Sequence, residues 1–290
     1  MTFLANGKYL LIGELEGVRV WRVEDGKQVA TLEARGVRCL AVSKDGRWIA
    51  AGTMLSDVFV WYAKTFEKIV SHREWHAYRI NGIDFSPDST RLVSASDNKT
   101  SIWDIATGKQ VQTLDHGDWV PLAAKYSPQG DRIATAPPDS VQVWDSKDGR
   151  LLVHIPVTVT PWYNTGLLWF NNHLFVVSDS KIKQLEAYTG SAVSEWPVPD
   201  SNGFSCIALP KHGKFIAYST HRTVTFWDTA THTQLGLIQH PQDISSIAVS
   251  QDDRFLAIVG RGGKITINTL VSLVSSLTAI LERIEMTCDL

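Results

Sequence analysis

Seven positions in this chain recur at a nearly constant interval: Trp21, Trp61, Trp103, Trp144, Leu185, Trp227 and Asn268 stand 40 to 42 residues apart. A period of about 40–45 residues, kept from one end to the other, restricts the fold to an array of equivalent units. Each unit holds four short strand patterns, which is the make-up of a propeller blade. The first reads "INGIDFSPDS", "LAVSKDG" or "SIAVSQDD", each ending in a polar turn, and the second reads "RLVSAS", "RWIAAG" or "RFLAIV". The third carries the recurring Trp, and the fourth is of the "KQVQTL" kind. Gly26, Gly108, Gly149 and Gly190 each lie five residues beyond the recurring position. A short hairpin needs a positive φ there, which glycine adopts without steric cost.

These patterns predict an all-β fold: a single seven-bladed β-propeller of four-stranded antiparallel blades spanning 1–268. A blade is covered by neighbours on both faces, so a large flat side chain closing the third strand fills the gap between blades. Its indole N–H needs a partner once buried. In the third unit a His precedes the first strand, a Ser lies on the second and an Asp in the following turn. A chain Trp103–Ser94–His76–Asp97 would satisfy these polar groups and stiffen the blade.

The spacing of His76, Ile80, Ile83 and Phe85, the turn Ser86-Pro87-Asp88, and the pair Trp103-Asp104 together resemble the WD-repeat family of β-propellers. The resemblance runs over essentially the whole chain. It implies a blade-locking tetrad of His76, Ser94, Asp97 and Trp103, matched less fully in the fourth unit by His116, Thr135, Asp139 and Trp144. Other units depart from the pattern. Arg35 stands near the His position of the second, Leu185 replaces Trp in the fifth, His221 lies near the Asp position of the sixth, and the seventh keeps His240 but ends in Asn268. Apolar packing is expected to hold those blades. In texture the chain is also similar to WD-repeat arrays of fungal proteins, some of them fused to NACHT-type signalling NTPases.

The ends differ from the middle. "MTF" stands where "SSIAV" stands in the seventh unit, so blade 1 is expected to be truncated at its N-terminal strand. The family usually lends an N-terminal strand to the last blade, and here no residues remain to lend. Residues 269–290 form a separate tail. Leu270, Leu273, Val274, Leu277, Leu281 and Ile284 recur at helical spacing, which predicts a short amphipathic helix over 270–285 covering the open edge of the last blade. A fragment of a larger multidomain chain is compatible with these ends.

Composition narrows the function classes. The hydrophobic fraction of 44% supports a large core, and the net charge of −2 comes without a basic stripe, so nucleic acid is not an expected partner. The tail lacks a lysine-rich polar face, and no apolar run reaches membrane-spanning length, so no membrane partner is expected either. The first residues carry no secretory pattern, and the expected location is cytoplasmic, with the nucleus open. Cys39, Cys206 and Cys288 form neither a disulfide framework nor a zinc ribbon. "SHREWH" places His72 and His76 four apart, but between strands and without a third ligand, so no metal is expected. "VGRGGKIT" (259–266) lacks the first glycine and the Ser or Thr of a phosphate loop. No nucleophile–base set is visible, and no cofactor is called for.

What remains is surface. In the WD-repeat family the loops leading into the inner strands share one rim, where partners commonly dock. Here they carry Arg35 and Arg38 before the second unit's inner strand, Trp75, Tyr78 and Arg79 before the third, Trp119 before the fourth, and Trp162 and Tyr163 before the fifth. Trp, Tyr and Arg are enriched at binding hot spots. Trp119 directly precedes Val120, the expected first residue of an inner strand, and the equivalent loop of the G-protein β subunit makes partner contacts. The resulting expectation is a non-enzymatic scaffold that binds a protein or peptide on this rim. The alternative is a propeller enzyme or small-ligand binder using carboxylates of the central channel.

Overall fold

A computed structural model describes residues 1–290 except 73–75, 77, 160–165, 200–204, 271–279 and 288–290. Its strands form seven four-stranded antiparallel sheets. In order they occupy 2–33, 37–72, 80–115, 124–156, 167–197, 205–239 and 244–287, and are called blades 1 to 7. Within each, strands follow in chain order from the inner to the outer edge.

Burial on both faces explains why the second strands read as almost continuous apolar runs. Side chains alternate across a strand, and here each face meets another blade. Leu92 belongs to an apolar cluster shared with blade 2, while the next residue, Val93, belongs to one shared with blade 4. Seven such clusters exist, one per seam. The recurring Trp fills the seam with the preceding blade: Trp61 packs with Val18 and Val20 of blade 1, Trp103 with Val58 and Val60 of blade 2. Leu185 does the same in blade 5 as an ordinary aliphatic. Between blades 7 and 1, Phe3, Leu10, Ile12 and Trp21 meet Ala257, Val259, Ile265 and Ile267. The ring is therefore closed there by apolar packing, with no strand exchanged between the two blades. Blade 1 has an inner strand of two residues, Thr2–Phe3.

The residue after the Trp caps the hairpin to the outer strand. Asp104 accepts hydrogen bonds from the Thr107 amide and hydroxyl at 2.8 and 2.7 Å, and Asp228 from the amides of Ala230 and Thr231 at 2.9 and 2.7 Å. The residue that completes such a turn is left-handed: a glycine at Gly108 and Gly149, with φ of 67° and 72°, and His232, with φ of 59°, after Asp228.

Near the axis the blades approach closely. A Cβ built on Gly82 would lie 2.7 Å from the amide N of Ala124 and 2.9 Å from the Cα of Ala123, both backbone atoms of the next blade. Gly82→Ala is expected to push blades 3 and 4 apart at a cost of about 1–3 kcal/mol. Thermal unfolding checks this; an unchanged melt would show that the inner strands spread freely.

The C-terminal segment corrects the sequence reading. Over its described part, the helix expected at 270–285 is absent: Leu270 ends a third strand, and Ile280–Thr287 form the outer strand of blade 7. The register pairs Ile284 with Ile267 and Met286 with Ile265. The unpaired N–H and C=O groups of the third strand's edge are satisfied by a strand and cannot be by a helix lying across it. Residues 271–279 lie outside the described residues. Among the described residues no helix is long and apolar enough to cross a membrane.

Candidate partner-binding rim

Strand direction sorts the loops. Adjacent strands are antiparallel, so the loops leading into inner strands and the turns joining second to third strands emerge on the same rim. Among the described residues five large apolar side chains are exposed there: Leu15 (74%), Met54 (45%), Leu55 (61%), Tyr78 (60%) and Trp119 (48%). They lie on blades 1, 2, 3 and 4 in turn. Among the described residues the other large exposed apolar side chains are Tyr62, at the opposite end of its blade, and one on each of several outer strands, such as Val111 and Val193. The rim residues form one arc, and backbone bonds stitch the loops that carry them. Gly36 N donates to Leu15 O at 2.7 Å, and Met54 N donates to Gly36 O at 2.8 Å. Farther round, Ser96 Oγ donates to Tyr78 O at 2.7 Å, and Asn81 Nδ2 donates to Pro121 O at 3.3 Å.

Of the residues singled out in the sequence, Tyr78, Arg79 and Trp119 are exposed on this arc, as is Arg35. Trp75, Trp162 and Tyr163 lie outside the described residues. Arg38 sits lower, half-buried on the inner strand Val37–Val42, with its Nε donating to Asn81 Oδ1 at 3.1 Å. Val120 does not open an inner strand; that strand is Ala124–Tyr126. Pro121 has no N–H to offer a ladder, so 116–123 make a longer loop whose tip carries Trp119. Leu15, Met54 and Leu55 were not singled out. Their signal is an apolar residue in turns, "ELEG" and "TMLSD", that other units fill with polar residues such as "SDNK".

Below the rim, a cavity of about 130 Å³ opens in the central channel. Arg38, Cys39, Asn81, Gly82 and Lys125 are among its lining residues, and among the described residues no Asp, Glu or His lines it. Lys125 Nζ pairs with Asp84 at 3.3 Å. Burial pushes the Cys39 thiol up to about 12, so it is no thiolate nucleophile near neutral pH. Among the described residues no group of three His, Cys, Asp or Glu side chains is placed to hold a metal.

The tetrad residues form the support beneath the arc. Trp103 Nε1 donates to Ser94 Oγ at 2.8 Å, and Ser94 Oγ lies 2.7 Å from His76 Nε2. Asp97, left-handed in its turn at φ 48°, makes no hydrogen bond to His76. Burial alone lowers the His76 pKa, to about 4. In blade 4 the pattern divides. Trp144 Nε1 donates to Thr135 Oγ1 at 2.9 Å. His116 bonds elsewhere: its Nε2 is 2.9 Å from Thr100 Oγ1 on blade 3, and its Nδ1 is 2.7 Å from Gln142 Oε1 on blade 4. Asp139 instead accepts from the Ser140 hydroxyl at 3.0 Å. His116 therefore ties two blades together directly under the Trp119 loop. Elsewhere packing replaces the network, since the buried Trp21 Nε1 and Asn268 Nδ2 have no hydrogen-bond partner.

Comparison with known proteins agrees with this architecture. Residues 26–62 and 67–104 match the profile of the WD domain, G-beta repeat. WD repeat-containing protein 1 of Mus musculus is 39% identical over 87 residues, 29% of this chain and 14% of that protein. The periodic tryptophan protein 2 homolog of Dictyostelium discoideum is 26% identical over 133 residues, 44% of this chain and 14% of that protein. The chain thus matches only about a seventh of the length of these relatives. Among solved structures, the β-propeller domain of Myceliophteria thermophila Cps50 (Swd1) superposes with a TM-score of 0.80 at 16% identity, covering 93% of this chain and 96% of that one. A Kuenenia stuttgartiensis hydrazine synthase chain gives 0.79, also at 16% identity, covering 93% and 94%. At such identity the likeness is one of fold.

Proposed function

Since the chain is a WD-repeat β-propeller, we propose that it works as a non-enzymatic cytoplasmic scaffold, binding a protein partner on the rim formed by blades 1 to 4. WD-repeat proteins are in general protein-interaction scaffolds, which is the coarse part of this reading. The observation that carries the finer part is the arc itself. Leu15, Met54, Leu55, Tyr78 and Trp119 expose large apolar side chains on one rim of four consecutive blades, on loops held in place by hydrogen bonds. Large apolar side chains exposed together on one rim mark an interaction surface. Among the described residues no carboxylate or imidazole lines the cavity of about 130 Å³, which favours this reading over chemistry there.

A rim aromatic that anchors a partner contributes about 2 kcal/mol or more, roughly thirtyfold in affinity. Trp119→Ala is expected to weaken capture of the native partner from cell extract by about that factor, and Tyr78→Ala to weaken it further in combination. Melting should shift little, because both side chains are exposed. Intact capture together with a large loss of stability would place Trp119 in the fold's support and remove the rim reading.

A further inference from the structure

Among the described residues, Tyr62 is the large apolar side chain exposed on the turns of the rim opposite the arc. It closes the strand Val58–Tyr62, and the register sets it opposite Trp48, which opens the strand Trp48–Thr53. Their rings stack, with centroids 4.7 Å apart and planes at 27°. At the Tyr62 position blades 3 to 6 carry Asp104, Asp145, Glu186 and Asp228, carboxylates that cap the following hairpin. Blade 2 gives up that cap for an aromatic side chain that is 42% exposed. Aromatic residues open the second strand in blades 1, 6 and 7 as well, but those are covered. Tyr9 meets Phe66 edge to face, Phe215 is fully buried, and Phe255 packs in the seam between blades 7 and 1. Trp48 instead stacks on a ring that faces solvent. The pair is also held in place: Ala63 N donates to Arg47 O at 2.8 Å, tying the turn before Trp48 to the turn after Tyr62. The Arg47 guanidinium lies 5.8 Å from the Trp48 ring centre and is itself paired with Asp45.

Hydrogen-bonding capacity decides what fits on these rings. The Trp48 indole can only donate and the Tyr62 hydroxyl readily does so; neither is bonded within the described residues. The Asp45 carboxylate is taken up by the Ser43 hydroxyl and by the Arg47 amide and guanidinium. The pair therefore offers flat apolar faces fringed by donors. Its match is a ligand with apolar rings, carbonyl acceptors and few N–H groups. A proline-rich chain is such a ligand, since proline has no N–H and the polyproline II helix leaves its carbonyls unbonded. Being preformed, that helix also loses little entropy on docking against aromatic residues. Local charge argues against single-stranded nucleic acid, which also stacks on aromatic rings but needs a positive groove for its backbone. Residues 44–48 and 62–67 set Lys44, Arg47 and Lys64 against Asp45 and Glu67, and Lys68 turns to the Phe59 ring, 4.9 Å away.

We propose that Trp48 and Tyr62 form a docking platform for a proline-rich segment of a partner protein. A prolyl ring rests on the exposed face of Tyr62, and the Trp48 indole and Tyr62 hydroxyl donate to carbonyls of the segment. The platform lies on the rim opposite the arc of blades 1 to 4 and shares no residue with it, so both rims are open to occupation together.

The test is fluorescence anisotropy of fluorescein-labelled decaproline titrated with the intact protein, together with the Trp48 indole N–H signal in NMR spectra, assigned by its loss in Trp48→Phe. Saturable binding is expected, moving the Trp48 signal and changing little as salt is raised. The decisive variant is Tyr62→Asp, which installs the cap of the other blades. Its melting temperature should hold or rise while binding falls about tenfold or more. Trp48→Phe keeps an aromatic face without the N–H and should weaken binding by roughly three- to tenfold. Absence of saturable binding, or binding unchanged in Tyr62→Asp, would overturn the proposal; a lowered melting temperature with binding intact would show that the rings serve the blade alone. Oligothymidylate that binds at Tyr62 more tightly than decaproline, and weakens as salt is raised, would make the platform one for nucleic acid and overturn it too. Loss of decaproline binding with Trp119→Ala in place of Tyr62→Asp would move the peptide to the arc, removing the platform and leaving the rim reading in force.

Discussion

Replacing Ser94 with Ala is expected to lower the unfolding free energy by on the order of 2–4 kcal/mol, several times the effect of an ordinary surface substitution. The Ser94 hydroxyl is fully buried and bonds two buried groups at once, accepting from Trp103 Nε1 and meeting His76 Nε2. Deleting it costs little in volume, so the loss comes from two polar groups deprived of this partner inside a buried seam. Trp21 provides the control. Its indole N–H is buried without a partner, so Trp21→Phe removes an unsatisfied donor and offsets part of the packing it gives up. Urea titrations should therefore rank Ser94→Ala well above Trp21→Phe, with Trp103→Phe between them. A loss below about 1 kcal/mol for Ser94→Ala would mean that the network contributes order without stability.

The repeat made the blades readable because one physical problem, filling the seam with the preceding blade, is solved seven times at one spacing. The seams supply Trp61, Trp103 and Trp144 with the same environment, so the same residue recurs. Two features resisted reading because their determinants are non-local. The segment at 280–287 has apolar residues that fit a 3.6-residue period as well as a period of 2, and only the open edge of Lys264–Leu270 selects the strand. His116 precedes its own blade as His76 does, but its hydrogen-bond partners are Thr100 and Gln142, which no spacing rule within one unit connects. On the rim, Tyr78 and Trp119 were legible by residue type. Leu15, Met54 and Leu55 were not, because an aliphatic residue near a strand end looks the same whether it turns inward or outward.

Acid is expected to weaken the propeller well before its carboxylates titrate. His76 is buried against Trp103, its ring centroid 6.1 Å from the indole, and burial lowers its pKa from the ordinary 6.5 to about 4. His116 is shifted the same way, chiefly by burial, partly offset by its bond to Gln142 and the charge of Asp115. The unfolded chain binds these protons from about pH 6.5 downward while the folded one does not, so stability is fully present above pH 6.5. For His76 it is lost as pH falls from there toward 4 and levels off below. For His76 alone the loss is about 2 kcal/mol at pH 5. The capping carboxylates act lower on the scale. Asp104, held down first by the Thr107 hydroxyl, and Asp145, held down first by the Asp148 amide, keep their charge throughout that window. Denaturant midpoints between pH 7.5 and 5 therefore isolate the histidines. His76→Gln should be less stable than the parent at pH 7.5, because Ser94 loses its partner, yet should lose about 2 kcal/mol less on going to pH 5. If the variant and the parent fall in parallel over that interval, His76 is taking up its proton in the folded blade, and the buried neutral ring is not what locks Ser94 and Trp103 in place.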